Sequence, residues 1–487
     1  MPDLGSCIPF PIDEETLNEV ISKAKDWAIM HGAAMRSKAD FSEDSVQFAP
    51  FILLPTLFPR REFEKAVRLQ PILNELMHWV AHDTEFLRET LANTIKVDEF
   101  TRNLFNIYEK ILADESAQSL SLGLLRSDLM LESRCTDNDH KRPYCCWKQV
   151  EINTIASGFG HLGPISREIQ SFVLSELNYA DKVKNLPLNG ALAGLCEGMV
   201  EAWNLQAISN AAILFVVEGV TYNICDQRFH EFYIREKHPH IKVIRKTLTE
   251  IHQQASLGPN NELKVNDTVI SVVYFRAGYE PGHYPSQNEW DARYLIEKSV
   301  AIKCPSIGYH LAGTKKVQQA LAKPGILKRF LTDDIKIKAI TDIFTGLYSM
   351  DSNTDEGQNA LRMVLTDPAK YVLKPQREGG GNNVYGHDIP DVLRKMSEVE
   401  RSAWILMERI FPPISKGYMI RPSGPSPPPL VDLVSELGIF GAVIGDKKAI
   451  VYNAHCGHML RTKLEKSNEG GVAAGSGALD SPYLYDD

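Results

Sequence analysis

In the short segment KQVEINTI, residues 148–155, two oxygen-bearing side chains alternate with apolar ones. Successive side chains of a strand point to opposite faces, so Glu151 and Asn153 share one face and the apolar residues between them share the other. A carboxylate and an amide oxygen at this spacing are hard ligands, which Mg²⁺ prefers together with waters and phosphate oxygens. The same pattern also fits the solvated outer face of an edge strand, and this segment alone does not decide between the two.

The segment LKPQREGGGNNVYG, residues 373–386, places three consecutive glycines next to charged side chains. Consecutive glycines cost backbone entropy, and their bare amides can close around phosphate oxygens. Lys374 can neutralise a phosphate, and Glu378 can hold a metal ion that bridges phosphates. The pattern predicts a lid over a nucleotide that arrives with its metal, although a flexible surface loop has the same composition.

Basic side chains lie next to several apolar runs: Arg126 in GLLRSD, Arg276 in YFRAGY, and Arg461 and Lys463 in LRTK. Arginine suits the bidentate recognition of carboxylates. Any single residue of this kind is more often a surface charge than a ligand. Together, in a chain with a formal net charge of -9, they indicate a local site for a polyanion.

The sequence matches several familiar catalytic motifs only in part. The segment GYHLAGTK, residues 308–315, resembles a P-loop, but its lysine and threonine are in the wrong order. His230 begins an H-E-x-x-H motif whose second histidine is replaced by Ile234, so a zinc helix of that type is excluded. The glycines at 379–381 do not continue as G-x-G-x-x-G, and the chain has no H-R-D or D-F-G run of a protein kinase.

Helical and strand patterns alternate along the chain, which predicts an α/β architecture to position these residues. Asp13 is placed to cap a helix that ends near Gly32. A β-hairpin is expected over residues 439–453, with its turn at Gly445-Asp446. Apolar runs predict strands at 148–154, 211–217, 269–275, 371–374, 404–410 and 430–434, and periodicity predicts a helix at 288–303.

Composition excludes several function classes. The 487 residues are 44% hydrophobic and 24% charged, which is ordinary for globular domains. The sequence pI of about 5.9 makes the chain a poor candidate for a nucleic-acid binder. Eight cysteines are few for this length, so a reducing cytosol is expected and a disulfide scaffold is not. The N-terminus has no apolar signal core, and no apolar run is long enough to span a membrane.

The chain resembles one family, the eukaryotic glutathione synthetases, from about Asp44 to Tyr483. The segments that carry the resemblance are EINTI, NICDQR, YFRAGY, LAGTKKVQQ, LKPQREGGGNN, SELGIFG, LRTK and GGVAAG, in the family's order. The resemblance implies a permuted ATP-grasp fold of the α/β class with glycine-rich lid loops. It implies a catalytic body at residues 1–211 and 315–487, and a smaller inserted α/β substrate-binding domain at 212–314. It also implies a cytoplasmic homodimer without nucleic-acid or membrane partners.

The activity implied by the resemblance is that of an ATP-dependent carboxylate–amine ligase. It joins γ-glutamylcysteine to glycine through an acyl phosphate and gives glutathione, ADP and phosphate, with ATP as co-substrate and Mg²⁺ as cofactor. Two alternatives stay open at this point. One is the same ligase with another acceptor amine, such as β-alanine, which would give homoglutathione. The other is a nucleotide-binding protein without catalysis.

The resemblance carries site residues over position by position. The implied magnesium ligands are Glu151, Asn153 and Glu378, and the implied catalytic residues are Lys315, Lys374 and Arg461. The implied ATP contacts are Glu151, Lys315, Lys374, Glu378, Gly379, Gly380, Gly381, Asn382, Asn383, Tyr385, Met407, Glu408, Arg409, Ile410, Glu436, Lys463 and Glu469. The implied contacts of the dipeptide and glycine are Arg126, Ile155, Ala156, Ser157, Gly158, Thr221, Tyr222, Asn223, Gln227, Arg276, Tyr279, Arg461, Val472 and Ala473.

The chain departs from the family pattern at two places. After EINTI the family usually has Ser-x-Ser, whereas this chain has Ala156-Ser157-Gly158, which should weaken contacts with the dipeptide. Glu469 stands where the family often has aspartate, so the charge is kept on a longer side chain. Relatives that make homoglutathione carry Leu-Pro where this chain has Ala473-Ala474, so glycine is expected to be preferred to β-alanine.

Overall fold

The structure, a computed structural model, describes residues 4–114, 118–134, 142–376, 381–468, 470–472 and 476–486. Its α-helices are α1 (Glu14–Met30), α2 (Arg60–His82), α3 (Thr84–Leu91), α4 (Thr94–Val97), α5 (Glu99–Leu112), α6 (Leu162–Glu176), α7 (Ala191–Gln206), α8 (Ile224–Lys237), α9 (Leu248–Gln254), α10 (Gln287–Lys298), α11 (Ile307–Ala312), α12 (Lys315–Leu321), α13 (Asp334–Ile343), α14 (Asp355–Thr366), α15 (Ile389–Lys395) and α16 (Glu398–Arg401).

The strands are β1 (Ala34–Met35), β2 (Gln47–Phe48), β3 (Phe51–Ile52), β4 (Thr56–Pro59), β5 (Ser121–Glu132), β6 (Cys146–Asn153), β7 (Ala212–Val216), β8 (Lys242–Lys246), β9 (Ala255–Leu257), β10 (Leu263–Val265), β11 (Thr268–Phe275), β12 (Ile302–Cys304), β13 (Leu347–Ser349), β14 (Tyr371–Lys374), β15 (Val384–Tyr385), β16 (Ile405–Glu408), β17 (Ser415–Ile420), β18 (Leu430–Gly445), β19 (Ile450–Leu464), β20 (Gly477–Asp480) and β21 (Pro482–Tyr485).

The largest sheet is mixed and has 13 strands within the described residues. Its main path is β17-β3-β20-β19-β18-β5-β12-β11-β10-β9, while β6 pairs with β5 and β7 lies between β11 and β8. Strands β6, β5, β18 and β19 are antiparallel neighbours, whereas β8, β7, β11 and β12 run parallel. A second, antiparallel sheet has the order β13-β16-β14-β15. The predicted α/β class is confirmed.

The long strand β18 separates two hydrophobic clusters because its side chains alternate between the faces of the sheet. Ile439 belongs to the cluster that includes Leu73 of α2. Its neighbour Phe440 belongs to the cluster that includes Met199 of α7. Helices therefore cover both faces of the large sheet at this strand.

Two local predictions are confirmed. Helix α1 begins after Asp13, whose side chain accepts the backbone N–H of Thr16 at 3.0 Å. Strands β18 and β19 form the predicted hairpin, and in its turn Asp446 Oδ1 accepts the backbone N–H of Lys448 at 2.7 Å. The hairpin is longer than predicted because both strands continue well beyond the apolar segment that marked it in the sequence.

The helix predicted over residues 288–303 is wrong at its C-terminal end. Helix α10 ends at Lys298, and Ser299 Oγ donates to the carbonyl oxygen of Ile296 at 2.7 Å. Residues 302–304 instead form β12, which pairs in parallel with β11. A neighbouring strand offers backbone partners to these residues, and the periodicity of one segment contains no information about such a partner.

The strands between residues 212 and 314 extend the large sheet, since β12 pairs with β5 through Lys303 and Ser121. The division of the chain into a catalytic body and an inserted domain stays a prediction. Among the described helices, none is long and apolar enough to cross a membrane. Among the described residues, Cys7, Cys196, Cys225, Cys304 and Cys456 are free thiols, while Cys145 takes part in a disulfide.

Candidate active site

A cavity of about 630 Å³ is lined by β5, β6, β18 and β19 of the large sheet and by β14 and β16 of the small one. Most of the residues that the sequence predicts for the site lie on its wall. These are Arg126, Glu151, Asn153, Ile155, Ala156, Gly158, Tyr222, Asn223, Gln227, Arg276, Tyr279, Lys315, Lys374, Asn382, Asn383, Tyr385, Met407, Glu408, Arg409, Ile410, Glu436, Arg461, Lys463 and Val472.

A few predicted residues are not on this wall. Ser157 is buried, and its hydroxyl donates to the carbonyl oxygen of Leu124 at 2.8 Å. Thr221 is also buried, and its hydroxyl oxygen lies 3.4 Å from Arg245 Nη2. Gly381 has a positive φ of 77° and open space where a Cβ would be. Glu378, Gly379, Gly380, Glu469 and Ala473 lie outside the described residues.

Arg126 and Asp128 form a buried ion pair on β5. Arg126 Nε and Nη2 donate to Asp128 Oδ1 and Oδ2 at 2.7 and 2.8 Å, and Asp128 has no exposed surface. Asn153 Nδ2 donates to the same carboxylate at 3.0 Å. Because this bond engages the amide nitrogen of Asn153, its amide oxygen is the atom that can turn to a cation. Arg126 Nη1 also donates to the Gly158 carbonyl at 3.1 Å, which ties β5 to the loop after β6.

Strand β18 carries a glycine opposite this ion pair. Gly438 is the register partner of Asp128. A Cβ at Gly438 would lie 3.0 Å from Arg126 Cδ and 3.0 Å from Asp128 Oδ1, which is tighter than side chains normally pack. Glycine at this position therefore leaves the room that the ion pair occupies.

Glu151 faces a group of positive charges. Its Oε2 lies 3.1 Å from Lys315 Nζ. Burial by itself raises the pKa of this carboxyl, but the charges of Lys315, Lys374 and Arg461 outweigh burial and hold the pKa well below its usual range. Lys374 is itself buried, and its Nζ donates to the Val150 carbonyl at 3.1 Å. The cluster thus combines an ionised carboxylate with lysines that can face an anion.

Arg461 of β19 pairs with Glu436 of β18. Arg461 Nε donates to Glu436 Oε1 at 2.9 Å, and its Nη2 contacts the same oxygen and lies 3.5 Å from Asp128 Oδ2. Burial raises the pKa of Glu436, and the adjacent carboxylates of Asp128 and Glu151 act in the same direction. The charge of Arg461 lowers the pKa of Glu436, and Glu436 in turn raises the pKa of Arg461. Each side chain therefore stabilises the charged form of the other.

Arg276 is held by the buried carboxylate of Asp226, in the first turn of α8. Asp226 Oδ2 accepts from Arg276 Nη2 at 3.0 Å, and both side chains are almost fully buried. The carboxylate also accepts the backbone N–H groups of Phe159 and His161 at 2.9 and 3.0 Å. Burial raises the pKa of Asp226, but Arg276, His230 and the backbone N–H groups of Phe159 and Leu162 lower it to about 2. Asp226 therefore fixes both Arg276 and the loop that contains the altered segment at 156–158.

The small sheet supplies another part of the cavity wall. Met407 and Glu408 lie on β16, and Glu408 Oε1 accepts from the Tyr348 hydroxyl at 2.9 Å. The backbone N–H of Arg409 donates to the Lys370 carbonyl at 2.8 Å. Apolar lining from Met407 and Ile410, together with the lysines described above, suits a ligand that has an apolar part and an anionic part.

A second acidic group at the cavity consists of Glu218 and Glu280 beside His283. The ligand atoms of the three residues lie within 4.8 Å of one another. Gly278 N–H donates to His283 Nδ1 at 3.0 Å, so Nε2 is the ring nitrogen that faces Glu218 at 3.0 Å. Burial, and after it the carboxylates of Glu218 and Glu280, raise the pKa of Tyr279 on the same wall. The sequence did not predict these residues for the site.

Sequence reasoning also missed the carboxylates that hold the arginines. Asp128 could have been found, because it lies two residues after Arg126 in an apolar segment and shares its face of a strand. Asp226 lies within the quoted segment NICDQR, but its contact with Arg276 joins residues that are far apart in the sequence. Only the pairing of the strands brings that contact about.

Comparisons with known proteins agree with one another. A sequence model for the family "Eukaryotic glutathione synthase, ATP binding domain" matches residues 14–484. The glutathione synthetase of Homo sapiens is 41% identical over 474 residues, which are 97% of this chain and 98% of that protein. The chloroplastic glutathione synthetase of Arabidopsis thaliana is 37% identical over 485 residues, which are 97% of this chain and 86% of that protein.

A solved structure is similar over its whole length. The apo form of a glutathione synthetase-like effector from Globodera pallida has a TM-score of 0.77 and 25% sequence identity. The match covers 98% of this chain and 98% of that chain.

Proposed function

The chain belongs to the eukaryotic glutathione synthetase family, and on that premise we propose that the cavity binds ATP, γ-glutamylcysteine and glycine side by side. The chain is an ATP-binding ligase of glutathione biosynthesis. The observation that carries the assignment of this site is the convergence of Arg126, Glu151, Lys315, Lys374 and Arg461 on one cavity. These residues come from distant parts of the chain, and all of them were predicted for the site from the sequence.

The residues present fit a magnesium ion. Glu151 is kept ionised by its cationic neighbours, and the amide nitrogen of Asn153 is engaged by Asp128, which leaves an oxygen donor. A carboxylate and an amide oxygen are suitable ligands for this ion, which also accepts waters and phosphate oxygens. Glu151 and Asn153 would hold it, with Glu378 as the third predicted ligand. When bound, magnesium supplies Lewis-acid stabilisation of charge on the phosphates.

The proposed reaction needs no nucleophilic side chain. The cysteinyl carboxylate of γ-glutamylcysteine attacks the γ-phosphorus of ATP, so ADP leaves and an acyl phosphate forms. The glycine amine then attacks the acyl carbon and loses a proton, and phosphate leaves as the peptide bond closes. The work of the protein is to position the reactants and to stabilise developing negative charge.

Each cationic side chain has a proposed part in these steps. Lys315 and Lys374 neutralise the phosphates of the nucleotide. Arg461 stabilises the acyl phosphate and the tetrahedral oxyanion, and Glu436 sets the orientation of its guanidinium. Arg126 and Arg276 bind the carboxylates of the dipeptide, each held in place by an aspartate. The glycine-rich loops are proposed to act as lids, because water would hydrolyse the acyl phosphate.

The test is a coupled assay of ADP release with ATP, γ-glutamylcysteine and a panel of amines, followed by the mass of the product. We expect ADP release to require both the dipeptide and an amine, and glycine to be the preferred amine. β-Alanine is longer by one methylene, so we expect it to react about ten- to two-hundredfold less efficiently. ADP release without peptide formation would contradict the proposed reaction, and equal use of β-alanine would contradict the glycine preference.

We further propose a homodimer in the cytosol, as the family resemblance implies. Size-exclusion chromatography with light scattering tests the assembly, and imaging of a fluorescent fusion tests the location. A monomeric mass at micromolar concentration, or retention of the fusion in an organelle, would contradict the respective prediction.

A further inference from the structure

Asp480 is a fully buried carboxylate at the end of β20. It lies on the face of the large sheet that is turned away from the cavity. Side chains alternate between faces along β18 and β19. Glu436 and Arg461 line the cavity, so their chain neighbours Ser435 and Thr462 point to the opposite face, toward Asp480.

Asp480 accepts four hydrogen bonds from neutral groups. Its Oδ2 accepts the hydroxyl protons of Thr56 and Thr462, both at 2.6 Å. Its Oδ1 accepts from Gln170 Nε2 at 2.8 Å and from the backbone N–H of Ser481 at 2.7 Å. An ionised carboxylate can accept about four hydrogen bonds, so these four donors occupy all of its acceptor positions.

The carboxylate sets the direction of a chain of hydroxyl groups. Thr462 has one hydroxyl proton and gives it to Asp480. The hydroxyl of Ser435, 2.6 Å from that of Thr462, must therefore be the donor in the contact between them. Asp480, Thr462 and Ser435 thus form one directed chain across β20, β19 and β18, directly behind the residues that face the cavity.

Asp480 also lies at the end of the strand that follows the predicted glycine-rich loop GGVAAG, residues 470–475. Strand β20 begins at Gly477, whose N–H donates to the Gly471 carbonyl at 3.2 Å. The backbone N–H of Ser476 donates to the same Gly471 carbonyl oxygen at 3.1 Å. The base of this loop and the strands that carry Glu436 and Arg461 therefore share one buried anchor.

We propose that Asp480 is a positioning residue of the ligase, which acts through Thr462 and Ser435 to hold β18 and β19 in register behind the cavity. That register presents Arg461 and Glu436 to the reacting groups. The inference rests on the proposed function, because it assumes that Arg461 contacts the acyl phosphate. Asp480 itself touches no substrate in this account.

Thr462→Val and Thr56→Val form a matched pair of variants. Each removes one buried hydroxyl that donates to the same oxygen of Asp480 over the same distance, 2.6 Å. Only Thr462 lies between two cavity residues. We expect similar decreases in Tm for the two variants, while kcat falls about tenfold in Thr462→Val and less than about twofold in Thr56→Val. The KM for ATP should change little in either.

Asp480→Asn tests whether the carboxylate acts through Thr462. It should lower kcat by a similar factor, and this decrease should nearly vanish in the Thr462→Val background but persist in the Thr56→Val background. Equal values of kcat for the two threonine variants, or additive effects of Asp480→Asn in both backgrounds, would overturn the inference. A wild type that makes no glutathione would instead refute the proposed function, and that measurement precedes the variants.

Discussion

Replacement of Arg461 by methionine separates the catalytic and structural roles of this side chain. Methionine keeps much of the volume and removes the charge. The substitution leaves Glu436 without the partner whose Nε lies 2.9 Å away. The two side chains are 19% and 16% exposed, so the pair is largely buried. Breaking a buried ion pair from one side costs about 3–5 kcal/mol, and the partial exposure places this pair at the lower limit, about 3 kcal/mol.

The state of Glu436 limits this loss of stability. Its pKa is already raised by burial and by the carboxylates of Asp128 and Glu151. Without Arg461, Glu436 can take up a proton instead of remaining charged in a buried site. Glu436→Gln makes the side chain neutral by substitution, so it should restore most of the stability lost in Arg461→Met.

Catalysis should respond differently. Loss of a charge contact that acts in the transition state costs about 3 kcal/mol, or about a hundredfold in kcat. We expect kcat to fall by at least this factor in Arg461→Met and to stay low in the double variant. The assay measures Tm and kcat for the wild type, both single variants and the double variant. Recovery of kcat together with Tm in the double variant would refute a direct role of Arg461.

Three further predictions follow from the described contacts. Glu151→Gln should lower kcat about a hundredfold at saturating Mg²⁺ while the protein stays folded, and near-normal turnover would remove Glu151 from the metal site. Gly158→Ser should lower the KM for γ-glutamylcysteine, because it restores a hydroxyl that the family usually has in this segment. A Cβ at this position has room, since its nearest atom would be Arg276 Nη2 at 3.5 Å. A raised KM would mean that the loop requires glycine here. Burial raises the pKa of Asp480 to about 6 from its usual 3.8, so its contribution to stability is complete below 3.8 and is lost as pH rises through 6. Relative to Asp480→Asn, the wild type should therefore gain about 2 kcal/mol in free energy of unfolding from pH 8 to pH 4, and a constant difference in urea unfolding would contradict this.

The sequence by itself was sufficient for the features that depend on near neighbours. The alternation around Glu151 and Asn153 predicted a strand with both oxygen-bearing side chains on one face, and in β6 both of them line the cavity. The cap at Asp13 and the turn at Asp446 were also predicted, since each depends on side chain to backbone bonds within a few residues. The family resemblance then indicated which charged residues share the cavity, although the roles assigned to them are still predictions.

Only the tertiary structure decided which carboxylate holds each cationic side chain. Asp226 reaches Arg276 across 50 positions, and Arg461 meets Glu436 because the hairpin pairs them in register. The same holds for β12. The periodicity predicted that the helix would extend into this segment, but pairing with β11 makes it a strand. Such contacts depend on strand order and register, which arise when distant segments bury their apolar faces together. A local pattern of residue types specifies the face of a strand, but it does not specify the strand that will lie beside it.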